Sequence, residues 1–195
     1  MKQDNRNIAS DLIESTVKVI ARDGFDKAST RNIAGECGIA DAYIYVHFKD
    51  KDDLFSKAFQ QEDAALAREV KKYLPILNQP GITNEDRLYV LFVQTWMYLT
   101  AYPDSCRFFV QYYYSPYYAK YSAQEHLDRW MPVLEQMKVL FKPETDVRAL
   151  LRPVLNTMLG QAIKAAAETS TDKDSIAKNN FALVLGMVSA SLLTE

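Results

Sequence analysis

Apolar residues along this chain recur at intervals of three and four, and strict period-two alternation is hard to find anywhere. The pattern predicts an all-α protein. Ala9, Leu12, Ile13, Thr16, Val17 and Ile20 form one face of a first helix over about Ile8 to Asp23, and Gly24 offers a left-handed stop. A second helix starts near Ser29 or Thr30, whose hydroxyls can accept from free backbone N–H groups, and runs to Cys37. Gly38 ends it, and a third, shorter helix covers about Asp41 to Phe48. Asp50 then caps a long helix reaching about Leu74, Asn78 to Gly81 form a loop, and Thr83 begins the caps of a helix running to Tyr102. Asp104 opens another, which Ser115-Pro116 separates from a segment reaching Phe141. Two last long helices are expected over about Glu144 to Thr169 and Asp172 to Leu193, joined at Ser170-Thr171. Pro132 and Pro153 fall inside helical patterns, so each should kink its helix or divide it in two.

The second and third helices carry a specific spacing. With Thr30 as the first position, Ala34 is the fifth, Gly38 the ninth and Ile44 the fifteenth. Two helices crossing at about 90–120° approach closely at the fifth position, which favours a small side chain, and the tight turn at the ninth favours positive φ. Ile44 wedges between them, while Ile33 and Ile39 complete a small core. Arg31, Asp41, Ala42, Tyr43, Tyr45 and His47 are left for the outer surface, in the arrangement of a DNA-reading helix-turn-helix, although any α-hairpin can show this small-residue spacing.

Composition narrows the function classes. The 195 residues carry 23 Lys and Arg against 25 Asp and Glu, so the whole chain has no long-range attraction for nucleic acid. Residues 1–60 hold nine basic against ten acidic side chains, a net of -1, so any DNA contact comes from local donors and binding is expected to need both heads of a dimer. No charge-free apolar run of about eighteen residues occurs and MKQDNRN is followed by no signal-like segment, which reads as a soluble, cytoplasmic protein without membrane contact. Cys37 and Cys106 stand apart, and His47 and His126 lie in separate segments, so neither a disulfide framework nor a metal site nor a cofactor is expected. No Gly-rich phosphate loop, H-E-x-x-H or G-x-S-x-G occurs, which argues against an enzyme.

The passage GFDKASTRNIAGECGIADAYIYVHFKDKDDLF, within a similarity running from Ile8 to about Phe59, resembles the DNA-binding domain of the TetR family of bacterial transcriptional regulators. The resemblance implies a three-helix head over residues 1–50, a linking helix over 51–74, and a larger helical effector-binding and dimerisation domain over 51–195. It implies phosphate contacts from Thr30, Tyr45, His47 and Lys51, base or backbone contact from Arg31, and groove-facing positions at Asp41, Ala42 and Tyr43. Ala40 and Asp41 depart from the family's usual Ser and basic or small polar residue; Asp41 is expected either to accept from a cytosine amino group or to cap the third helix.

Beyond residue 60 the chain speaks for itself. Aromatic density peaks between Trp96 and Trp130, and its excess of tyrosine over phenylalanine suits a cavity wall better than a packed core, since a buried phenol needs a partner. Candidate effector contacts are Trp96, Tyr98, Tyr102, Arg107, Phe108, Gln111, Tyr112, Tyr117, Tyr121, Trp130 and Met158, around a small, mostly apolar or aromatic molecule. Apolar faces on the last two helices, with Gly160 and Gly186 among their small residues, suit a homodimer interface. The expected function is a dimeric repressor released from double-stranded operator DNA by its effector, the alternative a helical adaptor that has lost DNA binding.

Overall fold

A computed structural model describes residues 7–168 and 172–193. Among them, nine α-helices and short tight-helical connections make up the regular structure, and the strand-like pairing is one antiparallel bridge between Phe141 and Leu192. Local chemistry sets the early boundaries. Asn7 accepts from the Ser10 amide at the start of α1 (Ile8–Asp23), and Gly24, at φ +78°, ends it by donating to the Ile20 carbonyl. Ser29 caps α2 (Thr30–Glu36) through the Asn32 amide, and α3 spans Ala42–His47. Leu12, Ile20, Ile33, Ala34, Ile44 and Phe48 close the core of this three-helix head.

Asp50 accepts from the Asp53 amide at 2.8 Å to open α4 (Lys51–Tyr73), the long helix that leaves the head and enters the body. There it packs against α5 (Asn84–Ala101) and α7 (Ala123–Met137), while α6 (Pro103–Tyr113) lies across both α1 and α8 (Val147–Ala167). The last helix, α9 (Lys173–Val188), packs on α5 and α8, and the segment after it is pinned by Lys142 N–H to the Ser191 carbonyl and Leu193 N–H to the Leu140 carbonyl.

Three features depart from the sequence expectation. Pro132 and Pro153 do not divide their helices: α7 and α8 run through them, both residues are exposed, and buried side chains lie before and after each proline. A π turn, Tyr118–Ser122, precedes α7 where simple continuation was expected. Asp41 is already in the helical region of backbone space and makes no side-chain cap bond. The Ser170-Thr171 turn lies outside the described residues.

Candidate nucleic-acid interface and effector cavity

Helix α3 buries one residue fully, Ile44, and turns the rest outward. Tyr43, Tyr45 and Val46 are 46%, 61% and 72% exposed, an open apolar and phenolic face on a packed head, and Ala42 and His47 are exposed beside them. At six residues the helix is about 9 Å long, short enough to enter a major groove end-on. Arg31 and Asp41 share an open groove between α2 and the start of α3, and Thr30 is half-buried at the first turn of α2. Lys51, at the first turn of α4, lays its ammonium 5.4 Å from the Phe55 ring centre. Phenols and an imidazole therefore share the α3 face, and the Arg31 guanidinium borders the groove at its start.

The acidic residues at the head's base are engaged elsewhere. Asp50 caps α4, Asp53 accepts from the Lys49 amide at 3.0 Å, and Asp52 accepts from the Tyr121 hydroxyl at 2.8 Å. Their negative charge is met by donors of the protein itself.

A cavity of about 120 Å³ lies in the body between α4, α5, α7, α8 and α9. Leu91, Phe92, Val133, Leu155 and Val184 are among its walls, with Trp130 and Met158. Thr95 is its one hydroxyl-bearing wall residue, and that hydroxyl donates to the Leu91 carbonyl at 2.8 Å. The wall thus offers a guest no hydrogen bond, and its size is close to that of apolar cavities that stay dry and admit benzene. Its lining is hydrocarbon almost throughout.

Of the eleven side chains expected around an effector, Trp130 and Met158 line this cavity. Trp96 stacks on Phe92 in the core, and Phe108 is fully buried. Tyr112 stacks on Phe59 at 4.5 Å and Tyr117 on Phe25 at 5.2 Å, both at the junction of head and body. Gln111 reaches the Ala21 carbonyl of α1 at 3.5 Å, Arg107 pairs with Asp104, and Tyr98 and Tyr102 lean together on an outer groove. The phenols find partners in neighbouring helices: Tyr112 with Ser122 at 2.9 Å, Tyr121 with Asp52, Tyr114 with Asn156.

Sequence reasoning passed over Asp63, which is 0% exposed. Its carboxylate accepts from Trp130 Nε1–H at 2.8 Å and from His126 Nδ1–H at 2.9 Å, and pairs with the Arg129 guanidinium. A signal was there, since Asp63 falls on the buried stripe Phe55, Phe59, Leu66 and Val70 at helical spacing. Nearby, burial and then the Glu62 charge push the Cys106 thiol up to about 12, and the same two causes push the Tyr98 phenol up to about 12.

A helix-turn-helix head joined by one long helix to an all-α body with an apolar cavity defines the class: a helical protein built to present a short helix outward. Residues 12–58 match the model of the bacterial regulatory proteins of the tetR family. A fatty acid metabolism regulator protein of Bacillus subtilis is 35% identical over 51 residues, which cover 26% of this chain and 26% of that one. The aligned stretch thus spans about a quarter of that relative's length. Crystal structures of a TetR family transcription regulator from Marinobacter aquaeolei VT8 (TM-score 0.72, 18% identity, 95% of this chain and 97% of that one) and of FadR from Bacillus subtilis in complex with stearoyl-CoA (0.67, 18%, 90% and 96%) share the fold. Residues 12–58 are thus similar to the DNA-binding domain of the tetR family, and the rest of the chain shares the fold of these solved regulators. Among the described residues, no helix is long and apolar enough to cross a membrane.

Proposed function

We propose that this chain is a cytoplasmic, homodimeric repressor, in which residues 1–50 read operator DNA and residues 51–195 dimerise and bind an effector bearing a hydrocarbon chain that releases the DNA. The observation that carries the reading is the solvent-open face of α3 in the same chain as a cavity walled by hydrocarbon. Thr30, Tyr45, His47 and Lys51 donate to phosphates, Arg31 to backbone or a base, and Asp41, Ala42 and Tyr43 meet base edges. Leu183, 50% exposed, and Met187 lie one turn apart on α9 beside Gly186, and form the centre of the dimer face.

The cavity supports an acyl chain as effector, as do the fatty-acid regulator and the stearoyl-CoA complex among its relatives. At about 120 Å³ the space holds only part of a long chain, so occupancy forces helices apart. That parting supplies the differential affinity between two head arrangements that release requires.

Mobility shift and footprinting on DNA upstream of the chain's own gene test this, with and without stearoyl-CoA and a shorter acyl-CoA. A sequence-selective, salt-sensitive complex is expected, weakened by Tyr45→Phe or Lys51→Ala and dissociated by acyl-CoA. Absence of any selective complex sinks the regulator in favour of an adaptor.

A further inference from the structure

We propose that the Asp63–Trp130 hydrogen bond, continued by a polar seam between α4 and the π turn and α7, carries cavity occupancy to the head. The proposal rests on the regulator reading above and names its route. Trp130 has two faces of use: its ring lines the cavity, and its Nε1–H is held at 2.8 Å by Asp63 of α4. A guest pressing on the indole therefore presses on α4.

From Asp63 towards the head the contacts continue without a gap of more than one turn. Gln60 donates to Glu125 at 2.7 Å, Ser56 and Ser122 pair at 3.4 Å with Tyr112 completing the group, and Asp52 accepts from Tyr121. Positions 52, 56, 60 and 63 share one face of α4, and the seam spans about 16 Å of helix. It ends at Asp52, two residues past the Asp50 cap and next to the Lys51 that flanks α3.

Apolar faces can slide by small steps, whereas hydrogen bonds weaken steeply once distance and angle leave a narrow range. A row of them permits a few discrete registers and transmits a shift as a unit. The π turn Tyr118–Ser122 supplies Tyr121 and Ser122 to the row, and such turns recur inside helices at functional places. Asp63 holds three donors of α7 at once, spaced over about one turn, so α7 cannot move along α4 without moving this carboxylate.

The test uses the full chain labelled with 5-fluorotryptophan, whose two signals are assigned through Trp96→Phe, and benzene as the probe of the cavity. Saturating benzene is expected to move the Trp130 resonance and to change amide exchange over residues 53–56 roughly tenfold, within the ordinary range of coupling between sites. In Ser56→Ala/Gln60→Ala, the Trp130 resonance still moves but the head-end change falls away. Trp130→Phe, which keeps a ring in the wall and loses the N–H, gives the same loss at retained benzene affinity. Head-end exchange that responds equally in these variants, or a Trp130 resonance that benzene leaves in place, overturns the proposal. If benzene produces both effects while acyl-CoA produces neither, the seam stands and the acyl-chain effector falls.

Discussion

Filling the cavity should stabilise the protein and blunt its response to effector. Empty volume costs about 24 cal/mol per Å³, so a cavity of about 120 Å³ forgoes roughly 3 kcal/mol. Val133 on α7 and Val184 on α9 are both buried and both face the space. Converting each to Ile adds one methylene apiece, worth about 0.8 kcal/mol when buried, or about 1.6 kcal/mol for the pair. For a chain of this size that raises Tm by roughly 3–6 °C. Were the space not open to these side chains, overpacking would cost about 1–3 kcal/mol and Tm would fall, so the sign of the change decides. The assay is a thermal scan at fixed protomer concentration, because the proposed dimerisation would couple to stability. It is repeated with stearoyl-CoA, whose stabilising shift is expected to shrink in Val133→Ile/Val184→Ile. A lower Tm, or an undiminished effector shift, refutes the identification of this cavity as the effector's place.

Other substitutions probe the turn, the buried carboxylate and the buried acids. Gly38→Ala, at φ +70° with open space around an added methyl, should cost about 1–2 kcal/mol from backbone strain alone, whereas Gly35→Ala inside α2 should be neutral or stabilising by up to about 1 kcal/mol; equal urea midpoints for the two would refute the positive-φ turn. Asp63→Ala leaves the Trp130 and His126 N–H groups buried without their acceptor and should lower unfolding free energy by about 3–5 kcal/mol, a loss below about 1 kcal/mol showing the cluster to be incidental. Cys106 and Tyr98 are pushed up to about 12 in the fold from ordinary values of 9.0 and 10.0, so the unfolded chain releases its protons first: their contribution is complete below about pH 9 and is lost as pH rises from there through 12. Urea midpoints that stay level between pH 8.5 and 11 would contradict this.

What was legible in the sequence was what acts over short range. Ser29, Asp50 and Thr83 each satisfy an amide three residues on, and Gly24 and Gly38 each end a helix by a conformation few residues adopt. These choices need no knowledge of the rest of the chain, and α1 and α4 accordingly fall within a residue of their expected bounds. The cavity depends instead on which apolar stripes face one another. Trp96 and Trp130 look alike along the chain, yet one packs on Phe92 and the other borders the open space. The tyrosines carried a true requirement, a partner for each hydroxyl, but Ser122, Asp52 and Asn156 of neighbouring helices meet it at Tyr112, Tyr121 and Tyr114. Asp63 was readable as an acid on a buried stripe; its donors, more than sixty residues away, were not.

The near-neutral head has a consequence for how tightly DNA is held. With Asp50, Asp52 and Asp53 occupied by donors of the protein, the full positive charges that the proposed interface assigns to DNA contact are those of Arg31 and Lys51. Two heads of the proposed dimer would then neutralise about four phosphates, and the logarithm of affinity should fall against the logarithm of salt with a slope of roughly -3 to -4. The remaining proposed contacts, from Thr30, Tyr45 and His47, would be short-range hydrogen bonds that work only in register. On the proposed reading, a weak field and many positional contacts would make affinity sensitive to small displacements of each head, so a modest shift of α4 would be enough to release DNA. A measured slope steeper than about -8 would mean that unplaced basic groups dominate binding, and a displacement of α4 would then no longer account for release.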